Sequence, residues 1–180
     1  MSQRSTSAWP LSQLCVAVIA YASLYPFGPW RDQDIAPWAF LIAPWPKYWS
    51  GFDVAANVWG YAPLGFFLAL SALRMRWPGS ATLWATLMAA LLSLLMEGLQ
   101  SYLPTRVPSQ VDFMLNTLDA GLGAFTASLL EQLGLLHRWS QFRARWFVRD
   151  AHLPLVLIAV WPLALLFPVA VPLGLGQVWE

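Results

Sequence analysis

Charge is what this chain has least of. Of its 180 residues only 11% are charged, against 58% hydrophobic, and the mean hydropathy is +0.54. A soluble domain carries about 25% charged residues, so an ordinary globule with a polar surface is excluded. The net charge of +1 leaves no basic face for a nucleic-acid partner. Cys15 is the single cysteine. An internal disulfide is therefore impossible, and a cysteine-based metal site has too few ligands.

What is present instead is apolar length. Windows long enough to cross a bilayer, about 20 residues each, recur along the chain. They predict an all-α, polytopic transmembrane helical bundle of about five spans. The spans run from Trp9 to Phe27, Phe52 to Leu73, Ala81 to Tyr102, Val111 to Leu133 and Leu153 to Leu175. The domain reading is a four-helix transmembrane unit over 1–135, a basic interfacial segment over 136–152 and a fifth, proline-rich span over 153–180. Ala20-Tyr21-Ala22 resembles a signal-peptidase site. However, Arg4 is a lone charge before it and apolar sequence continues to Phe27, so the first segment reads as a span.

The basic residues are unevenly shared between the connections. Arg4, Arg74, Arg76, Arg138, Arg143, Arg145 and Arg149 fall on one side, and Arg31, Lys47 and Arg106 on the other. The positive-inside rule then sets the N-terminus in the cytoplasm of a cell-membrane protein. Residues 97–116 follow on the extracytoplasmic side. The connection over 31–50 carries Trp30, Trp38, Trp45 and Trp49 in and beside it, rings that suit the headgroup level, and it reads as a segment lying flat there. The stretch over 137–150 reads as a cytoplasmic surface helix whose arginines enforce topology.

Polar residues inside the spans form a pattern. Spans two and four open alike, "DVAANVWGYAPLGF" and "DFMLNTLDAGLGAF", each with Asp-x-x-x-Asn: Asp53 with Asn57, and Asp112 with Asn116. Residues four apart share one helix face. The same faces continue through Gly60 and Leu64, and through Asp119, Gly123 and Ala127. Both spans run outside to inside, so spans one-two and three-four make a possible parallel two-span repeat. Glu97 and Gln100 share a face at the outer end of span three. Ionisable groups in membranes turn inward. Asp53, Glu97 and Asp112 are thus expected to meet around Arg106, whose planar fork suits carboxylates. Asp119 lies about 10 Å deeper than Asp112 at 1.5 Å per residue. There it needs a proton, an internal cavity or a hydrogen bond from a neighbouring span.

These residues resemble the VanZ-like family, named for a protein linked to teicoplanin resistance. The likeness rests on Asp53 with Asn57, then Tyr61, Pro63 and Gly65; on Glu97 with Gln100; on Arg106 with Ser109; and on Asp112 with Asn116, ending at Gly123. "YASLYPF" at the end of the first span belongs to it as well, and the likeness covers most of residues 15–130. One departure is Asp119, where the family has glycine, which puts close helix packing there in question. The resemblance implies a multi-pass membrane protein and supplies no reaction.

Four roles for the polar cluster follow. It binds a membrane lipid headgroup, a lipid-linked envelope precursor or a glycopeptide, contributing to glycopeptide tolerance. Alternatively, it is an enzyme site on a lipid-linked substrate, with Glu97 or Asp112 as general base and Arg106 stabilising developing charge. His137 and His152 lie across the membrane from it, so no Ser-His-Asp set forms around Ser101 or Ser109. A third role is transport past Asp119, which with so few spans requires a homo-oligomer. The fourth is purely structural: Asp caps its own helix, and Glu97, Gln100 and Arg106 tie helices together. No cofactor is implied. Three carboxylates suit a hard cation, but Arg106 beside them already supplies a positive charge, so no metal is expected.

Overall fold

A computed structural model describes residues 8–45, 51–146 and Leu157, with the side chains of 51–59, 140 and 142–146 outside that description. The proposed fifth span falls almost wholly outside it. The described residues are all-helical, with no strands: α1 (Ala8–Leu24), α2 (Gly51–Arg74), α3 (Ala81–Gln100), α4 (Gln110–Gln132) and α5 (Leu135–Trp146), plus a 3-10 turn at Ala39–Ile42. The chain divides into two compact units, 1–138 and 139–180, with the division inside α5. Two helices, α3 and α4, are long and apolar enough to cross a membrane, and α1 is a shorter apolar helix.

The helix ends follow from local chemistry. Ser80 opens α3 by accepting the Leu83 N–H at 3.2 Å. Ser109 opens α4 by accepting from Val111 at 3.2 Å and Asp112 at 3.4 Å. The cap of α4 is therefore Ser109 and not Asp112. Asp112 sits in the first turn, where a negative charge favours the helix dipole. Gly134, at φ +70°, stops α4 with its N–H on the Glu131 carbonyl. A left-handed residue at that point is easiest for glycine.

α2, α3 and α4 make the centre, with α1 packed mainly on α2. Their buried faces are rich in alanine: Ala69, Ala85, Ala89, Ala120, Ala124 and Ala127, alongside Ile19, Leu64, Leu68 and Met96. In lipid there is little hydrophobic drive between helices, so close packing of small residues has to hold them. α3 and α4 are antiparallel: the Asn116 amide donates to Ser93 Oγ at 2.9 Å, and Thr82 meets Ser128 at 2.7 Å nearer the other end. Tyr61 of α2 lies beside Ser93 and Glu97, towards the end of α3. α2 then leads into α3 through the short turn 75–80, so α2 and α4 run the same way.

Where α2 and α4 cross, the backbones touch. A Cβ on Gly65 would lie 2.6 Å from the Ala120 carbonyl carbon, and one on Gly123 would lie 2.8 Å from that of Ala62. The relation is reciprocal, because each glycine meets the carbonyl three residues before the other. Aligning Asp53 with Asp112 sets Gly65 against Ala124, whereas the crossing sets it against Gly123, one residue out of step. Asp119 does not prevent this approach, since Ala120 and Gly123 beside it supply the small surface.

Candidate functional site

The residues singled out in sequence gather at one end of the bundle, but they divide into two groups. The first group holds α1. The last carbonyls of any α-helix lack intrahelical partners, and α1 has no basic residue in its last turn. Arg106 supplies what is missing. Its Nε and Nη2 donate to the Tyr25 carbonyl at 3.1 and 2.8 Å, and Nη2 also donates to that of Ala22 at 2.9 Å. Gln100 Nε2 donates to the Ser23 carbonyl at 2.9 Å. The expected fork of Arg106 onto carboxylates is thereby corrected. Its Nε–Nη2 edge goes to the backbone of "YASLYPF", because three hydrogen bonds to the Ala22 and Tyr25 carbonyls at a helix C-terminus satisfy both partners.

The second group lies between α2, α3 and α4. Glu97 is 4% exposed, and its Oε2 accepts the Ser109 N–H at 2.8 Å. Ser93, one turn deeper on α3, is fully buried and accepts from Asn116, itself 4% exposed. Tyr61, equally buried, brings its hydroxyl beside Ser93 and Glu97, and the Asp112 carboxylate stands close to Glu97. Among the described residues, Asn116 Oδ1 is buried without a hydrogen-bond partner, and the Tyr61 hydroxyl faces Ser93 without closing a hydrogen bond. Asp119 is buried on α4 next to the crossing, and its Oδ2 also lacks a partner. Asp53 and Asn57 lie in the first turns of α2 among the residues whose side chains are outside the description.

A strap crosses this end of the bundle. The Arg31 N–H donates to the Tyr102 carbonyl at 2.9 Å, and Gln33 Nε2 to that of Ser101 at 2.6 Å. Gln110 Nε2 donates back to the Ala43 carbonyl. Pro37 passes over Gly98. The segment 31–43 is thus tied to the α3–α4 connection, while Trp38, Ile42 and Trp45 stay exposed.

Sequence reading missed Ser93, Gln33 and Gln110. Ser93 stands four residues before Glu97 in an otherwise apolar run, so its face was there to be read. Nothing local marks the two glutamines, because their partners are main-chain carbonyls far along the chain. Among the described residues no three His, Cys, Asp or Glu side chains come together as a metal site. Residues 2–131 match a protein-family model described as VanZ/LLP1. No curated protein and no solved structure matches the chain.

Proposed function

Given that this chain belongs to the VanZ-like family, and that α3 and α4 are long and apolar enough to cross a bilayer, we propose that its extracytoplasmic end holds the polar head of an envelope molecule. That molecule is a membrane lipid, a lipid-linked envelope precursor or a glycopeptide. The chain is a membrane protein. In this reading it crosses the cytoplasmic membrane about five times with its N-terminus inside, as its distribution of arginine and lysine favours.

The observation that carries the reading is the cluster of Tyr61, Ser93, Glu97 and Asn116, drawn from three helices, with two polar atoms left unsatisfied among the described residues. Helix glue without a ligand would pair its buried polar groups, since each unpaired one costs about 1–3 kcal/mol. A half-satisfied network is worse than an apolar core. The unpaired atoms therefore favour a molecule that completes them. The enzymatic reading is weakened by Arg106: the group expected to stabilise developing charge is engaged with α1 carbonyls.

The test is extraction of the protein from native membranes in mild detergent, followed by mass spectrometry of what stays bound. Parent protein is expected to retain one envelope molecule. Asn116→Leu is expected to accumulate normally and lose it, along with any glycopeptide tolerance the parent confers. An Asn116→Leu protein that retains the same molecule would remove the cluster as the binding site. Failure of Asn116→Leu and Glu97→Gln alike to accumulate would make the cluster structural.

A further inference from the structure

We infer that the group received by this cluster is a primary ammonium, seated between Glu97, Asn116 and Tyr61. The inference rests on the binding reading above and specifies its ligand. Asn116 gives its Nδ2 to Ser93, which leaves Oδ1 as a buried acceptor without a donor. Glu97 accepts one main-chain N–H through Oε2, and among the described residues no basic side chain pairs with it. The Tyr61 oxygen is a third buried atom with room to accept. These three side chains come from α3, α4 and α2, and each is more than nine-tenths buried.

Arg106 and Gln100 point their N–H groups at the carbonyls of Ala22, Ser23 and Tyr25. A phosphate or carboxylate entering the cluster would meet the Glu97 carboxylate, with which no basic side chain pairs among the described residues. A hydroxyl would satisfy an acceptor but leave the Glu97 charge uncompensated, which burial penalises. An –NH₃⁺ group donates three hydrogens and brings the missing charge. Glu97 stands three residues inside the end of α3, roughly 4.5 Å deep at 1.5 Å per residue. An amine on a two-carbon arm spans that depth.

A primary ammonium reaches this surface either on a phospholipid or on a soluble molecule, and the experiment separates the two. Full-length protein is placed in nanodiscs of phosphatidylglycerol doped in turn with phosphatidylethanolamine or phosphatidylcholine. Retained lipid is counted by native mass spectrometry, with soluble phosphoethanolamine as competitor. The ethanolamine lipid is expected to be retained about tenfold or more over both others, a preference on the scale of one charge-assisted hydrogen bond. Competition by phosphoethanolamine would show that the amine is recognised apart from its acyl chains. Glu97→Gln is expected to abolish the preference, and Asn116→Ser to weaken it if Glu97→Gln does not accumulate. Retention of phosphatidylglycerol or phosphatidylcholine as well as the ethanolamine lipid would overturn the ammonium while leaving a binding site. Retention of none, together with no molecule carried from native membranes, would overturn the binding reading itself.

Discussion

Single atoms decide how closely the central helices pack. Gly123 and Gly121 are two residues apart on α4, yet a side chain has opposite consequences at the two positions. A Cβ on Gly123 runs into the Ala62 main chain, whereas one on Gly121 meets only the Thr86 side chain at 3.5 Å, an ordinary contact. Gly123→Leu is expected to lower stability by roughly 1–3 kcal/mol through overpacking and to reduce accumulation. Gly121→Ala is expected to unfold at nearly the parent temperature. Thermal unfolding in detergent compares the two, and equal losses would deny that the crossing is a backbone contact. At this scale the sequence showed which polar residues come near one another better than which partners each takes. Glu97, Asn116 and Asp112 do stand together. Arg106, expected among carboxylates, serves a helix end instead, because a free carbonyl in the main chain leaves no trace in residue identity.

At the scale of elements, α1 depends on a loop distant in sequence. Arg106→Ala removes the donors to the exposed Ala22 and Tyr25 carbonyls, which is expected to loosen the end of α1 by about 0.5–1.5 kcal/mol, the net worth of an ordinary hydrogen bond. Amide hydrogen exchange is expected to quicken in the last turns of α1 while the α3–α4 pair, held by Ser93 and Thr82, stays protected. Uniform loss of protection would show that the clip is not local. The helices themselves were legible: expected spans begin and end within three residues of α1 to α4, because apolar length is a local signal. The end of α1 shows where that fails. Apolar residues run on to Phe27, but the helix stops at Leu24, just ahead of Pro26, a residue that cannot continue it. The strap over 31–43 was expected to lie flat at the headgroup level. Its ties to Ser101, Tyr102 and Gln110 are long-range bonds that no window of sequence displays.

For the whole molecule, orientation is the claim on which the site's exposure to envelope ligands depends. In a Cys15→Ala background, Thr105→Cys, exposed on the α3–α4 connection, is expected to react with a membrane-impermeant maleimide in intact cells. Pro78→Cys, on the α2–α3 turn, is expected to react only after permeabilisation, and the reverse pattern would invert the assignment. The clip on α1 also bears on how the molecule is made. The Arg106 guanidinium reaches carbonyls 81 and 84 residues earlier in the chain. A ribosome adding about 5–20 residues per second needs several seconds to cover that stretch. During that interval the first segment emerges with its end unfastened, and it is secured only once α3 and the connection behind it have been made. Assembly of this bundle therefore closes backwards, with a late-synthesised latch completing the earliest helix.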